Sequence, residues 1–204
     1  MDRNGGYDEG YRGSRCFWGR RPASLVRAII AERSVEGLSV LDLGCGEGKN
    51  AFALAEAGAN VCAVDCSKAA LENGRRELNH HRIRWHLSDA VEFLEHEDVF
   101  DIVVMYGLLH CLPSAKDIEK LIRKALCRTR TGGFNATVTF NDGPHDLSAH
   151  PGFSPTLLPH AFYASQYRSQ EILAEENEVI HETHPHNNIE HFHSLSRFLI
   201  RKKS

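Results

Sequence analysis

No apolar run in this 204-residue chain approaches the roughly 18 residues a membrane span requires. The polar opening Met1-Asp-Arg-Asn-Gly-Gly lacks the apolar core of a secretory signal. Clustered Lys and Arg are missing as well. With 24 basic against 27 acidic side chains and a net charge of -3, the chain is not built to displace counterions from a nucleic-acid backbone. The six cysteines (Cys16, Cys45, Cys62, Cys66, Cys111, Cys127) form no C-x-x-C pair and lie mostly among apolar neighbours. Reduced thiols and a cytoplasmic location are expected from that pattern, in place of a disulfide framework. Internal repeats and low-complexity tracts are absent too. The length suits a single domain over 1–204 around one core.

What is present is concentrated in one stretch, Val40-Leu-Asp-Leu-Gly-Cys-Gly-Glu-Gly48. An apolar strand runs into three glycines and then into the helix-like Asn50-Ala-Phe-Ala-Leu-Ala-Glu-Ala57. Such a turn lets backbone approach a ligand closely, and the helix start that follows offers free N–H groups. A dinucleotide loop would read G-x-G-x-x-G, whereas Gly44, Gly46 and Gly48 read G-x-G-x-G, which disfavours NAD.

The stretch resembles motif I of the class I S-adenosylmethionine-dependent methyltransferases. A second apolar run, Asn60 to Val64, stops at Asp65, 21 positions after Gly44. Strand–helix–strand folds place an acid on ribose hydroxyls at about that distance. Its alternative use, as a helix N-cap, is equally open to Ser67. A strand over 82–87 leads to Ser88-Asp89-Ala90. In the family an acid here meets the adenine amino group and the next N–H meets the ring. The strand Phe100 to Met105 ends in Tyr106-Gly-Leu-Leu-His-Cys-Leu112, similar to the family segment that faces cofactor on one side and acceptor on the other. The resemblance implies cofactor contacts at Asp42, Gly44, Cys45, Gly46, Asp65, Cys66, Asp89, Ala90 and Tyr106.

The rest of the pattern supports the same architecture. Pro22 opens a helix with a Leu25, Ile29, Ile30 stripe, and Ser114 opens another with Ile118, Leu121, Ile122 and Leu126. Thr131-Gly-Gly133 breaks that helix before a strand over 134–140. Repeated strand–helix units predict a doubly wound, Rossmann-like α/β fold with a mostly parallel sheet. The resemblance makes it seven-stranded with an antiparallel last strand. Residues 141–170 read as an insertion after strand five, and 183–192 as a histidine-rich hairpin between two strands at about 172–182 and 192–201. Residues 1–21, aromatic and basic, read as a lid segment in which Phe17 and Trp18 pack.

Eight of the 13 histidines follow strand five: His145, His150, His160, His181, His184, His186, His191 and His193. Ligands in open parallel sheets bind beyond the carboxyl ends of the strands, and both late segments leave from that edge. Metal binding, substrate recognition and plain surface exposure compete as uses for these imidazoles. Substrate recognition is the expectation, with Tyr11, Trp18, Arg21, His145, His184, His186, His191 and His193 as the binding set and no metal assigned. His110 is the candidate general base, and Tyr106 the residue that orients the acceptor.

Two signatures of nucleic-acid methylation are missing, an Asn/Asp-Pro-Pro-aromatic motif after strand four and a Pro-Cys nucleophile. Size, the Trp18-Gly19 and Pro22 segment and the wording of motif I resemble the tellurite-resistance and thiopurine-type small-molecule methyltransferases. The expected activity is S-adenosylmethionine-dependent methylation of a small polar or anionic molecule at oxygen. Methylation of a thiol, selenium or tellurium compound is the alternative enzyme. A non-catalytic cofactor- or metal-binding subunit is the alternative of another class.

Overall fold

A computed structural model describes residues 7–96 and 98–204. The elements follow in the order α1 (Asp8–Gly13), α2 (Ser24–Glu32), β1 (Ser39–Leu43), α3 (Lys49–Glu56), β2 (Asn60–Asp65), α4 (Lys68–Glu77), β3 (Ile83–Leu87), α5 (Ala90–Phe93), β4 (Phe100–Tyr106), a 3-10 turn at Leu109–Cys111, α6 (Ala115–Arg128), β5 (Thr129–His145), α7 (His160–Tyr167), β6 (Glu171–Glu182) and β7 (His191–Arg201). The seven strands form one sheet in the order β3-β2-β1-β4-β5-β7-β6. β1 to β5 pair in parallel, and β7 lies antiparallel between β5 and β6. The mostly parallel sheet is the one expected from the strand–helix repeats, and its seven strands with an antiparallel β7 are what the resemblance implied.

Alternation along β1 explains how one short strand serves two cores. Val40 joins a cluster with α2 and α3, while Leu41 and Leu43 join the opposite cluster with α6 and α7. Successive side chains point to opposite faces, and both faces are covered by helices. The chain winds outward from β1 to β3, then returns to β4 on the other side of β1. A crevice opens where strand order reverses, beyond the carboxyl ends of β1 and β4. The glycine turn and Tyr106 sit at those two ends.

Several boundaries differ from the sequence-based expectation. Pro22 precedes α2, whose N-cap is Ala23, because the Ala23 N–H is drawn to the buried Asn50 Oδ1 at 2.8 Å. β5 is much longer than 134–140. It takes in Thr131-Gly-Gly133 at one end and 141–145 at the other, and the eight-residue α7 lies within the rest of the expected insertion. The β5–β7 register slips between Phe140 and His145, after which His145 faces His193. That irregularity carries both strands past the edge of the parallel sheet. Of the expected lid, residues 1–6 lie outside the described residues. The remainder forms α1 and a turn in which Tyr11 and Phe17 are buried and Trp18 is half-buried.

Asp42 is a structural anchor. Its Oδ2 accepts the Ala51 N–H at 3.0 Å, fastening the first turn of α3 to β1, while Oδ1 is buried without a hydrogen-bond partner. Burial raises the carboxyl from 3.8 to about 7, opposed by the Ala51 N–H. A raised folded-state value means that the group's contribution is complete below about pH 4 and is lost as pH rises towards 7. Asp42→Asn keeps an acceptor for Ala51 and removes the charge. Its melting temperature relative to the natural protein should therefore climb between pH 4 and 8, by a free-energy equivalent of up to about 4 kcal/mol. A pH-independent offset in thermal melts would reject this account.

Candidate active site

The glycine turn closes tightly on β2. Gly44 and Cys45 both donate their N–H to Val64 O at 2.9 Å, and Gly46 N–H donates to Asp65 Oδ2 at 2.7 Å. Gly44, Gly46 and Gly48 have φ of 71°, 54° and 81°, the left-handed region in which a side chain is strained. Asp65, at the end of β2, also accepts the Ser67 N–H on Oδ1 at 2.8 Å. Burial nevertheless pushes its carboxyl upward, the largest effect on it. Each carboxylate oxygen has a second lone pair, so a vicinal diol would find acceptors already aimed and partly desolvated. Ser67 takes the N-cap of α4 through the Ala70 N–H at 3.1 Å, which leaves Asp65 to the cavity. Asp89 serves twice, lining the same cavity while its Oδ1 caps α5 through Val91 N–H at 2.8 Å.

These residues share a cavity of about 520 Å³. That is within the 300–1,000 Å³ usual for small-ligand sites. Gly44, Cys45, Gly46, Asp65, Cys66, Asp89 and Ala90 line one part of it, and Tyr106, His110, Tyr11, Trp18 and Arg21 line the rest. Asp42 is a correction: it lies beneath the turn, 1% exposed, and does not reach the cavity. His145 and His186 do not line it either. His145 is set behind His193, and His186 stacks on Phe17 with centroids 3.6 Å apart.

The N-terminal segment is held over the cavity by the start of α3. Glu47 accepts the N–H groups of Cys16 at 2.9 Å and Phe17 at 2.6 Å, and Asn73 Nδ2 at 3.1 Å. Lys49 Nζ donates to Trp18 O at 3.3 Å and lies 5.2 Å from the centre of the Tyr106 ring. Burial lowers the Lys49 ammonium, partly offset by Glu182 and Asp42. Trp18 Nε1 donates to Tyr11 Oη at 2.8 Å. Neither Glu47 nor Lys49 figured in the sequence-based set. Their position on either side of the third glycine, facing the carboxyl edge of the sheet, was the available signal.

The sequence-based base, His110, has a different competence. Its Nδ1 accepts the Phe140 N–H at 3.0 Å, so the neutral ring carries its proton on Nε2. Burial, then His193, His145 and His150, lower its pKa to about 3. His110 is a hydrogen-bond donor at neutral pH, with its remaining lone pair already used by the backbone. The expected proton-acceptor role is therefore corrected to that of a donor. Tyr106 is half-buried at the end of β4, and burial raises its phenol. It remains neutral.

Beyond His110 the late histidines form one packed group. His150 Nε2 is 3.2 Å from both His191 Nε2 and His193 Nε2, and His191 Nε2 is 3.2 Å from His184 Nε2. Glu182 Oε1 is 3.9 Å from Nε2 of His184, His191 and His193. Burial lowers His150 to about 4 and His184 and His193 to about 3. His150, His184 and Glu182 line the cavity, while His191 and His193 stand directly behind them. His150 and Glu182 were absent from the expected binding set; His150 lies in an irregular segment whose spacing carries no face information. His160 and His181 lie elsewhere, the first bonded to Ser196 and Glu175 and the second exposed.

Comparison with known proteins agrees with this geometry. A family model described as a methyltransferase domain matches residues 40–133. The cypemycin N-terminal methyltransferase of a Streptomyces species is 41% identical over 86 residues, covering 41% of this chain and 34% of that protein. The ubiquinone biosynthesis O-methyltransferase of Hydrogenovibrio crunogenus is 30% identical over 119 residues, covering 57% and 48%. The chain thus spans less than half the length of the first curated relatives it matches. Among solved structures, TehB from Haemophilus influenzae superposes with a TM-score of 0.70 at 19% identity, over 98% of this chain and 67% of that one. None of the described helices is long and apolar enough to cross a membrane. Residues 40–133 thus match a methyltransferase domain, and the seven-stranded sheet with its antiparallel β7 has the fold of the solved methyltransferase-like structures.

Proposed function

We propose that this protein transfers a methyl group from S-adenosylmethionine to an oxygen of a small polar molecule. The observation that carries the reading is the shared cavity. Gly44, Gly46, Asp65 and Asp89, from successive strand ends, line one side, and Tyr106, His110, Lys49 and His184 line the acceptor side. Asp65 suits the ribose diol, Asp89 and Ala90 suit the adenine edge, and the left-handed turn admits close approach of the ligand to backbone. Among the named relatives, the ubiquinone biosynthesis O-methyltransferase supports oxygen, while the cypemycin N-terminal methyltransferase does not.

The bound cofactor supplies an electrophilic methyl on a sulfonium; a C–O bond forms as the C–S bond breaks. The protein's own contribution is alignment and exclusion of water. Alignment of this kind is worth roughly 7–11 kcal/mol. His110 Nε2–H, set by the Phe140 N–H on the other ring nitrogen, orients an acceptor oxygen through a donated hydrogen bond. Tyr106 and the aliphatic part of Lys49 line the route between the two sides. The N-terminal segment, fixed by Glu47 and docked on the β6–β7 connection through Phe17 and His186, closes the cavity and limits acceptor size.

Two measurements check this. Calorimetry with the demethylated cofactor should show binding, weakened in Asp65→Ala by about 1.5–3 kcal/mol through loss of charged hydrogen bonds. Unchanged affinity would remove Asp65 from the site, and no binding by the natural protein, or no label passed from methyl-labelled cofactor to a small product, would reject the activity. Glu47→Ala leaves the buried Phe17 N–H and the partly buried Cys16 N–H unpaired, the buried one costing about 1–3 kcal/mol. Trypsin cleavage at Arg12, Arg15 and Arg20 should then accelerate at least ten-fold while the sheet stays resistant, with a raised acceptor KM. Equal cleavage rates would show that the clamp is not what holds the lid.

A further inference from the structure

We propose that the cluster of His150, His184, His191, His193 and Glu182 binds one divalent transition-metal ion through three of its members at a time, as the overlapping triads His150–His191–His193 and Glu182–His184–His191 allow, leaving a position for the oxygen of the methyl acceptor. Distances carry the first step. An ion bound to imidazole at about 2.0–2.1 Å puts adjacent ligand atoms of a tetrahedron about 3.3 Å apart. Three Nε2 pairs in this cluster are 3.2 Å apart: His150 with His191, His150 with His193, and His191 with His184. Glu182 Oε1, 3.9 Å from three of the four nitrogens, needs to move only slightly to join them.

Proton placement carries the second step. His191 Nδ1 is 2.8 Å from Ile189 O, so its proton is on Nδ1 and Nε2 is bare. His145 Nε2 is 2.7 Å from Asn141 O, which puts that ring's proton on Nε2 and leaves its Nδ1 to accept from His193 Nδ1–H at 3.2 Å. His193 Nε2 is therefore bare as well. Two lone pairs then face His150 Nε2, which has at most one proton to give. At least one close nitrogen pair has no proton between its members. A cation removes that conflict, and imidazoles oriented through Nδ1–H to carbonyl or a second ring are the usual support of metal ligands.

Topology carries the third step. His191 and His193 are alternate residues of β7 and share a face. Glu182 ends β6 opposite His191, His184 follows it, and His150 comes from the β5–α7 connection. Five side chains from three segments converge, with His150, His191 and His193 buried. Trp18 covers the group, with centroids 4.8 Å from His184 and 5.8 Å from His150. The donor set, rich in imidazole with one carboxylate, suits zinc, iron(II), cobalt, nickel or copper over magnesium or calcium.

The ion's role in methyl transfer rests on the proposed function; its binding does not. An acceptor hydroxyl held by the ion would lose its proton to solvent at neutral pH, and the resulting oxygen would take the methyl as the C–S bond breaks. That supplies the activation that His110, with its lone pair engaged, does not.

The test uses untagged full-length protein, stripped with chelator and titrated separately with zinc(II) and cobalt(II). One ion per chain is expected, with cobalt(II) giving the visible absorption of a nitrogen-rich site of low coordination number. His150→Ala with Glu182→Gln should weaken binding at least 100-fold, while melting remains cooperative and affinity for the demethylated cofactor stays within two-fold. Absence of saturable equimolar binding by the folded natural protein would overturn the proposal, as would equal binding by the double variant. Metal binding without cofactor binding would leave this centre standing and reject the methyltransferase reading.

Discussion

The rest of the structure depends on how closely its parts meet at the glycine turn. A Cβ on Gly48 would lie 2.4 Å from the Trp85 ring, and one on Gly46 would lie 2.9 Å from Tyr11 Oη. Both positions also have positive φ. Trp85 comes from β3 and Tyr11 from α1, so sheet and lid both use the space left by missing side chains. The turn is more than a ligand cradle. It is the contact point that sets the distance between the parallel sheet, the first long crossover helix and the N-terminal segment.

From that contact the lid follows with few additional interactions. Glu47 and Lys49 flank Gly48, and each takes a backbone group of the N-terminal segment: Glu47 the N–H groups of Cys16 and Phe17, Lys49 the carbonyl of Trp18. A buried carboxylate bonded to several N–H groups is stable only while those donors stay. Cofactor loop and cover are thus mechanically one unit. The same coupling explains why an aromatic, glycine-rich terminus, which composition alone leaves ambiguous, folds into a helix and packs Phe17 and Tyr11 inward.

Local patterns made much of this readable in advance. The apolar runs of β1, β2 and β4, the polar stops at Asp65 and Asp89, and the glycine spacing each depend on neighbours in sequence, and the structure places the stops and the glycines along one crevice. What could not be read depends on neighbours across the sheet. Asp42 has the composition of a motif acid, yet its position on the strand's helix-covered face turns it into an anchor for Ala51. His110 has the right chemical class for a base, but the Phe140 N–H, 30 residues later, decides its tautomer. The register slip after Phe140 aligns His145 with His193, and no periodicity in the chain announces it.

The acceptor wall shows why such long-range placement matters chemically. A wall of exposed imidazoles would exchange protons with water and present mixed charge. Here desolvation, the largest influence on His110, His150, His184 and His193, keeps those rings neutral. Neutral rings at 3.2 Å cannot all satisfy one another, because each Nε2 has either one proton or one lone pair. His191 and His193 have spent their protons on the opposite nitrogen, so from behind the wall they turn lone pairs towards His150 and His184, which line the cavity. His110 alone is held by a backbone donor and presents an N–H. The wall is therefore divided into a donor at the end of β4 and an electron-rich patch at the start of β7. A small molecule that fits both must bring an acceptor atom to the first and something electron-poor, a proton donor or a cation, to the second.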